Sequence, residues 1–133
     1  MDAAKIVSKI SKEHGIIKNV YFLACGGSLV DLYPGYYFVR AESAVMDAQW
    51  IPAREFALTP PKKLGKDSLL IICSHSGKTK ECLEAAKVGI NAGAAVVTMT
   101  HAPGSPCDCE EWISVVYDWA PGVKEAQKPQ GIV

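Results

Sequence analysis

The sequence lacks an excess of either charge. Fourteen Lys and Arg are matched by fourteen Asp and Glu, for a formal net charge of zero. Without a basic surplus, the chain has no electrostatic pull on nucleic acid or on an anionic membrane surface. It also lacks any apolar run near the ~20 residues that span a bilayer. The opening stretch carries Asp2, Lys5, Lys9, Lys12 and Glu13, unlike a signal peptide. Five cysteines, an odd number without disulfide-scaffold spacing, point to a reducing, cytoplasmic setting. No internal repeat is visible. What is present is ordinary globular composition: 49% hydrophobic and 21% charged over 133 residues, enough to fill one core. These bounds describe one soluble domain.

Three short, nearly unbroken apolar runs read as parallel strands covered on both faces: residues 19–24, 68–73 and 94–99. Residues 45–51 and 112–119 are interrupted by Asp47, Gln49, Ser114 and Asp118, as edge strands would be. Helices are expected between them. Residues 2–14 place Ala3, Ile6, Val7 and Ile10 on one face, with Gly15 to end the turn. Ser28 and Asp31 form an S-x-x-D capping box that predicts a helix toward residue 42, restarting or kinking at Pro34. Residues 78–92 carry Leu83, Ala86 and Ile90 at helical spacing before Gly93. Ser105-Pro106, with Asp108, Glu110 and Glu111 behind it, predicts a short acidic first turn. Residues 59–65 read as a connector. Strands alternating with helices imply right-handed βαβ units, hence an α/β fold. The expected architecture is a doubly wound, five-stranded parallel sheet of order 2-1-3-4-5, with its switch point between strands one and three.

Two loops leave those two strands. Cys25-Gly26-Gly27-Ser28 lets the backbone approach a ligand and offers a hydroxyl at a helix start. It is no dinucleotide fingerprint, and a tight turn that merely needs glycine is an equally good reading. Ser74-His75-Ser76-Gly77-Lys78-Thr79 sets three hydroxyls around one glycine at the next helix N-terminus. Such a loop holds a phosphate through neutral donors and the helix dipole. Gly-Lys-Thr invites comparison with a nucleotide-binding P-loop, but that pattern needs glycine where Ile72 stands. A Ser/Thr-rich cap is the bland alternative. Two such loops meeting at one switch point favour a ligand.

On these residues the chain resembles the SIS (sugar isomerase) domain family. The marks are Cys25-Gly-Gly-Ser28, the stretch 74–81 (SHSGKTKE), similar to the family's S-x-S-G-x-T-x-E phosphate loop, and Ala53-Arg-Glu-Phe56, similar to its A-x-E-F. His75, Tyr33-Pro34, Thr100-His101 and residues 125–129 (EAQKP) look most like bacterial fructosamine 6-phosphate deglycases, themselves similar to the isomerase half of glucosamine–fructose-6-phosphate aminotransferase. The resemblance implies a flavodoxin-like three-layer sandwich, with about residues 16–120 as core and 121–133 as a linker or the start of a second half. It implies that Ser28, Ser74, Ser76 and Thr79 hold a sugar phosphate, with Gly26, Gly27, Gly77 and His75 supplying backbone or neighbouring contacts. It implies hydrolysis of a fructosamine 6-phosphate to an amine and an aldose 6-phosphate, needing no metal or organic cofactor. The family's Glu and His acid and base come largely from a second SIS domain, so this chain alone is expected to be catalytically silent and to self-associate. A non-catalytic phosphosugar sensor and an aldose–ketose isomerase are the alternatives.

The remaining candidates read as structure. His101, Cys107 and Cys109 suggest a metal only weakly, because residues two apart on the expected helix face apart. Cys25 and Cys73 end buried strands and are expected to pack as small apolar groups, although a helix N-terminus could lower the Cys25 pKa. Glu42, Glu55 and Glu81 are the acids nearest the loops. Tyr33, Tyr36, Tyr37 and Phe38 read as core or interface, His14 as structural, and Lys78 and Lys80 as solvated surface.

Overall fold

A computed structural model describes residues 2–118. Five six- or four-residue strands, β1 (Asn19–Ala24), β2 (Asp47–Pro52), β3 (Ser68–Cys73), β4 (Ala95–Thr100) and β5 (Ile113–Val116), form one all-parallel sheet. Its order is β2-β1-β3-β4-β5. The expected doubly wound topology is therefore present. Registers such as Ala24↔Pro52 and Ala24↔Cys73 align the carboxyl ends of neighbouring strands, so their loops leave one edge of the sheet.

Helices α1 (Ala3–His14) and α2 (Gly27–Glu42) cover one face. Ile10 of α1 packs on Ala95 and Val97, and Leu32 of α2 on Val20, Phe22 and Cys73. Helices α3 (Ala53–Leu58) and α4 (Lys80–Asn91) cover the other, where Phe56, Cys82, Ala85 and Ala86 meet Tyr21, Leu23, Leu70, Ile72 and Val96. Full burial of β1 on both faces explains its unbroken apolar run. No helix among the described residues is long and apolar enough to cross a membrane.

Several local expectations are corrected. The cap of α2 is Gly26, not Ser28, which lies inside the first turn and makes no capping bond with Asp31's help. Helix α2 runs uninterrupted through Pro34. Val30, whose carbonyl loses its usual partner to the proline, and Pro34 itself both lie on the exposed side, where water can substitute. The acidic turn after Ser105 is not a helix. There Cys107 N–H donates to the Gly77 carbonyl at 3.0 Å, while the Cys107 carbonyl accepts from Thr98, Trp112 and Ser114. Tertiary hydrogen bonds have taken the groups a helix would use. The buried side of α4 is Cys82, Ala85, Ala86 and Gly89, with Ile90 exposed, and Val7 of α1 is exposed too. Helix α3 stands where only a family mark was expected. Part of the expected fifth strand, the 125–129 segment and the apolar Ile132 lie outside the described residues.

Candidate functional site

The site is built at the carboxyl edge, from the turn after β1 and the loop after β3. Ser74 is buried, and its Oγ lies 2.7 Å from Thr79 Oγ1. It also accepts from Gly77 N–H at 3.1 Å, closing the loop on itself. Because Thr79 spends its hydroxyl on Ser74, it caps α4 by position without a side-chain bond. The amides that open α4 have no intrahelical acceptors and face the loop. Ser76 is exposed; its Oγ accepts from Lys78 N–H at 3.2 Å, leaving the hydroxyl proton to donate outward. Lys78 and Lys80 are exposed, and Lys80 pairs with Glu84 at 3.9 Å.

Gly77 is required here. Its φ is +70°, and a Cβ would be driven into the side chain of Ser105 and against Thr100 Oγ1. Ser105 in turn donates to the Ala102 carbonyl at 2.6 Å. The end of β4 thus forms the floor beneath the loop. Thr100 Oγ1 and His101 N–H both donate to the His75 carbonyl, each at 3.2 Å.

The two loops meet over Cys73. Ser28's hydroxyl and Tyr117's hydroxyl both lie beside the Cys73 thiol. Burial, then the Asp31 carboxylate, push that thiol up to about 11. On the other side of the strands the Cys25 thiol lies beside Cys82 and Glu81 of α4. Burial and the Glu81 charge raise the Cys25 pKa, so it is no activated thiolate at a helix end. Cys25 is half-buried rather than buried. Gly26, at φ +57°, and Gly27 are exposed.

His75 and His101 stack face to face, with centroids 5.0 Å apart and planes 9° apart. Each is bonded through Nδ1 to Tyr117: His75 to the hydroxyl and His101 to the carbonyl, both at 3.0 Å. Sequence reasoning missed Tyr117, Ser105 and the floor role of Thr100. The available signal was position, since each follows or ends a strand at the edge where open α/β sheets bind ligands. Glu55 sits on α3 and Glu42 ends α2, both exposed. His14 bonds the Lys66 carbonyl at 3.2 Å just before β3, at the edge of the sheet opposite the loops. No cluster of three His, Cys, Asp or Glu is arranged as a metal site among the described residues.

By similarity to its relatives the chain belongs to the SIS (sugar isomerase) domain family, and its parallel 2-1-3-4-5 sheet with a hydroxyl-lined loop at the switch point agrees with that. Among curated relatives it is similar to fructosamine deglycase FrlB of Bacillus subtilis strain 168, 41% identical over 103 residues. That match covers 77% of this chain and 31% of the relative. Glutamine–fructose-6-phosphate aminotransferase of Clostridium tetani is 32% identical over 113 residues, covering 84% of this chain and 18% of that one. A solved structure described as a phosphosugar isomerase from Salmonella typhimurium LT2 superposes with a TM-score of 0.85 at 34% identity, covering 99% of this chain and 42% of its own. The chain thus spans less than half the length of these relatives. No protein-family model matches it.

Proposed function

We propose that this chain binds the phosphate of a sugar phosphate and forms one SIS domain of a fructosamine 6-phosphate deglycase-like enzyme. The Ser74–Thr79 loop carries this reading: the Ser74 and Thr79 hydroxyls lie 2.7 Å apart at the start of α4, where the helix amides favour an anion. In this reading Ser28, Ser74, Ser76 and Thr79 donate to the phosphate, Ser74 and Thr79 by giving up the bond between their hydroxyls, and Gly26, Gly27, Gly77 and His75 shape the surrounding backbone. Similarity to FrlB favours the deglycase over the isomerase or sensor. In the reaction the sugar ring opens, a proton leaves the carbon beside the carbonyl, and an enediol-like species forms. Water then releases the amine and leaves an aldose 6-phosphate. The phosphate anchor lies remote from the reacting carbon, so its binding energy orients the reacting end.

The acid and base would come from a second SIS domain rather than from residues 1–133, and the assembly would be a cytoplasmic oligomer. Val30, Tyr37 and Phe38 on α2, 64%, 58% and 66% exposed, supply apolar surface for such an association. Calorimetry with glucose 6-phosphate and glucose tests the anchor. Binding of the first alone is expected; equal affinity for both would remove the phosphate assignment.

A further inference from the structure

Tyr117 is a residue that the sugar-phosphate reading leaves unused. It follows β5, the edge strand farthest from the turn after β1, yet its ring packs in the cluster of Val20, Phe22 and Cys73 beneath both loops. Three of its contacts lie at the carboxyl ends of β3 and β4. The hydroxyl meets His75 Nδ1 at 3.0 Å and the Cys73 thiol, and the carbonyl meets His101 Nδ1 at 3.0 Å.

Chemistry fixes part of this arrangement. A carbonyl only accepts, so His101 must carry a proton on Nδ1, which places the lone pair of its neutral ring on Nε2. The His101 ring is then held parallel to that of His75 at 5.0 Å. His75 itself is fastened twice: its carbonyl by Thr100 and His101 from β4, its ring by Tyr117 from β5. Residue 75 lies between the two loop serines, so any rotation there moves Ser74 and Ser76 together.

We propose that Tyr117 is a positioning residue of the phosphate loop, setting the His101 tautomer through its carbonyl and the His75 ring through its hydroxyl. This rests on the reading of residues 74–79 as the phosphate anchor. Burial, and next the adjacent Cys73, raise the Tyr117 pKa, which keeps the hydroxyl protonated.

Tyr117→Phe removes the hydroxyl but keeps the ring and the carbonyl. Long-range proton–nitrogen NMR of the neutral imidazoles, assigned with His75→Gln and His101→Gln, reads the tautomers. The expected result is Nδ1–H on His101 in both wild type and Tyr117→Phe, with His75 signals moving only in the variant. Glucose 6-phosphate affinity should fall roughly fivefold, the loss of about one hydrogen bond. In a His75→Gln background the same change should cost little further affinity, which a merely structural role would not produce. A proton on Nε2 of His101 in the wild type would overturn the proposal without any variant. So would full affinity in Tyr117→Phe, or equal losses in both backgrounds. If the wild-type chain does not bind glucose 6-phosphate at all, the anchor reading fails and the positioning role fails with it; binding that ignores Tyr117 removes only the latter.

Discussion

The two loops at the switch point are built in opposite ways. The loop after β3 is tied within itself by Ser74, Thr79 and Gly77, and tied from below by Thr100, Ser105 and Cys107. The turn after β1 has an exposed Gly26–Gly27 pair, no side-chain cap, and nothing within 4 Å of a Cβ placed at Gly26. One loop is preorganised and the other is open. A preorganised set of donors binds an anion without spending ordering entropy at that moment. The open turn leaves room for a ligand to approach the start of α2, where Ser28 already points at Cys73.

Glycine substitutions should break this comparison most sharply. Gly77→Ala combines a positive φ with overlap against Ser105 and Thr100. Strain and overpacking together should destabilise the fold by roughly 2–6 kcal/mol. Gly26→Ala meets no neighbour, so strain alone, about 1–3 kcal/mol, applies. Urea unfolding of both variants measures the gap; equal losses would mean that the floor beneath Gly77 gives way freely.

The sheet order was legible because each inner strand is a short apolar run bounded by turn residues, and its loops follow at once. The helix faces were harder to read. Small residues, not the larger Leu83 and Ile90, form the buried side of α4, because Gly89 lies so close to Leu70 and Val96 that a Cβ would collide. Hydrophobic spacing weights bulk, so it found Ala86 and the partly buried Leu83 but put the exposed Ile90 where Gly89 packs. The Ser105–Glu111 segment carries a good helix start, but long-range bonds to Gly77 and Thr98 outweigh it. Within the site, Ser74 and Thr79 lie together as one hydroxyl-rich loop reads, whereas Tyr117 joins the loop from 42 positions away. Only the folded sheet brings those strand ends together.

The thiol beneath the meeting point gives a pH test of how closed that point is. Cys73 stands at about 11 in the fold against an ordinary 9.0, through burial first and Asp31 second. A raised folded value means that the unfolded chain loses its proton first as pH rises. Stability from this group is therefore intact below about pH 9 and is lost between about pH 9 and 11, by up to roughly 2–3 kcal/mol. Burial raises Cys25, Cys82 and Cys107 as well, so Cys73→Ala should reduce that alkaline slope, not abolish it, in chemical unfolding followed across the window. A slope unchanged by the substitution would place water at the thiol and open the loops' shared base.

The smallest effects should separate the two serines of the tied loop. Ser74 is buried, and losing its hydroxyl strands Thr79 Oγ1, while Gly77 N–H keeps the Ser74 carbonyl at 3.1 Å. Ser74→Ala should therefore cost about 1–3 kcal/mol of stability as well as affinity. Ser76 is exposed, and its single bond is to Lys78 N–H, which water can replace. Ser76→Ala should leave stability within about 0.5 kcal/mol of wild type. Its outward hydroxyl would still contribute to an anion held in the loop, so glucose 6-phosphate affinity should weaken by about 1–3 kcal/mol. Thermal melts and calorimetry on the same two variants decide it. A loss of stability in Ser76→Ala, or unchanged affinity with an intact fold, would mean that the loop's architecture and its ligand contacts are divided differently, with the anion held by amides rather than by the exposed serine.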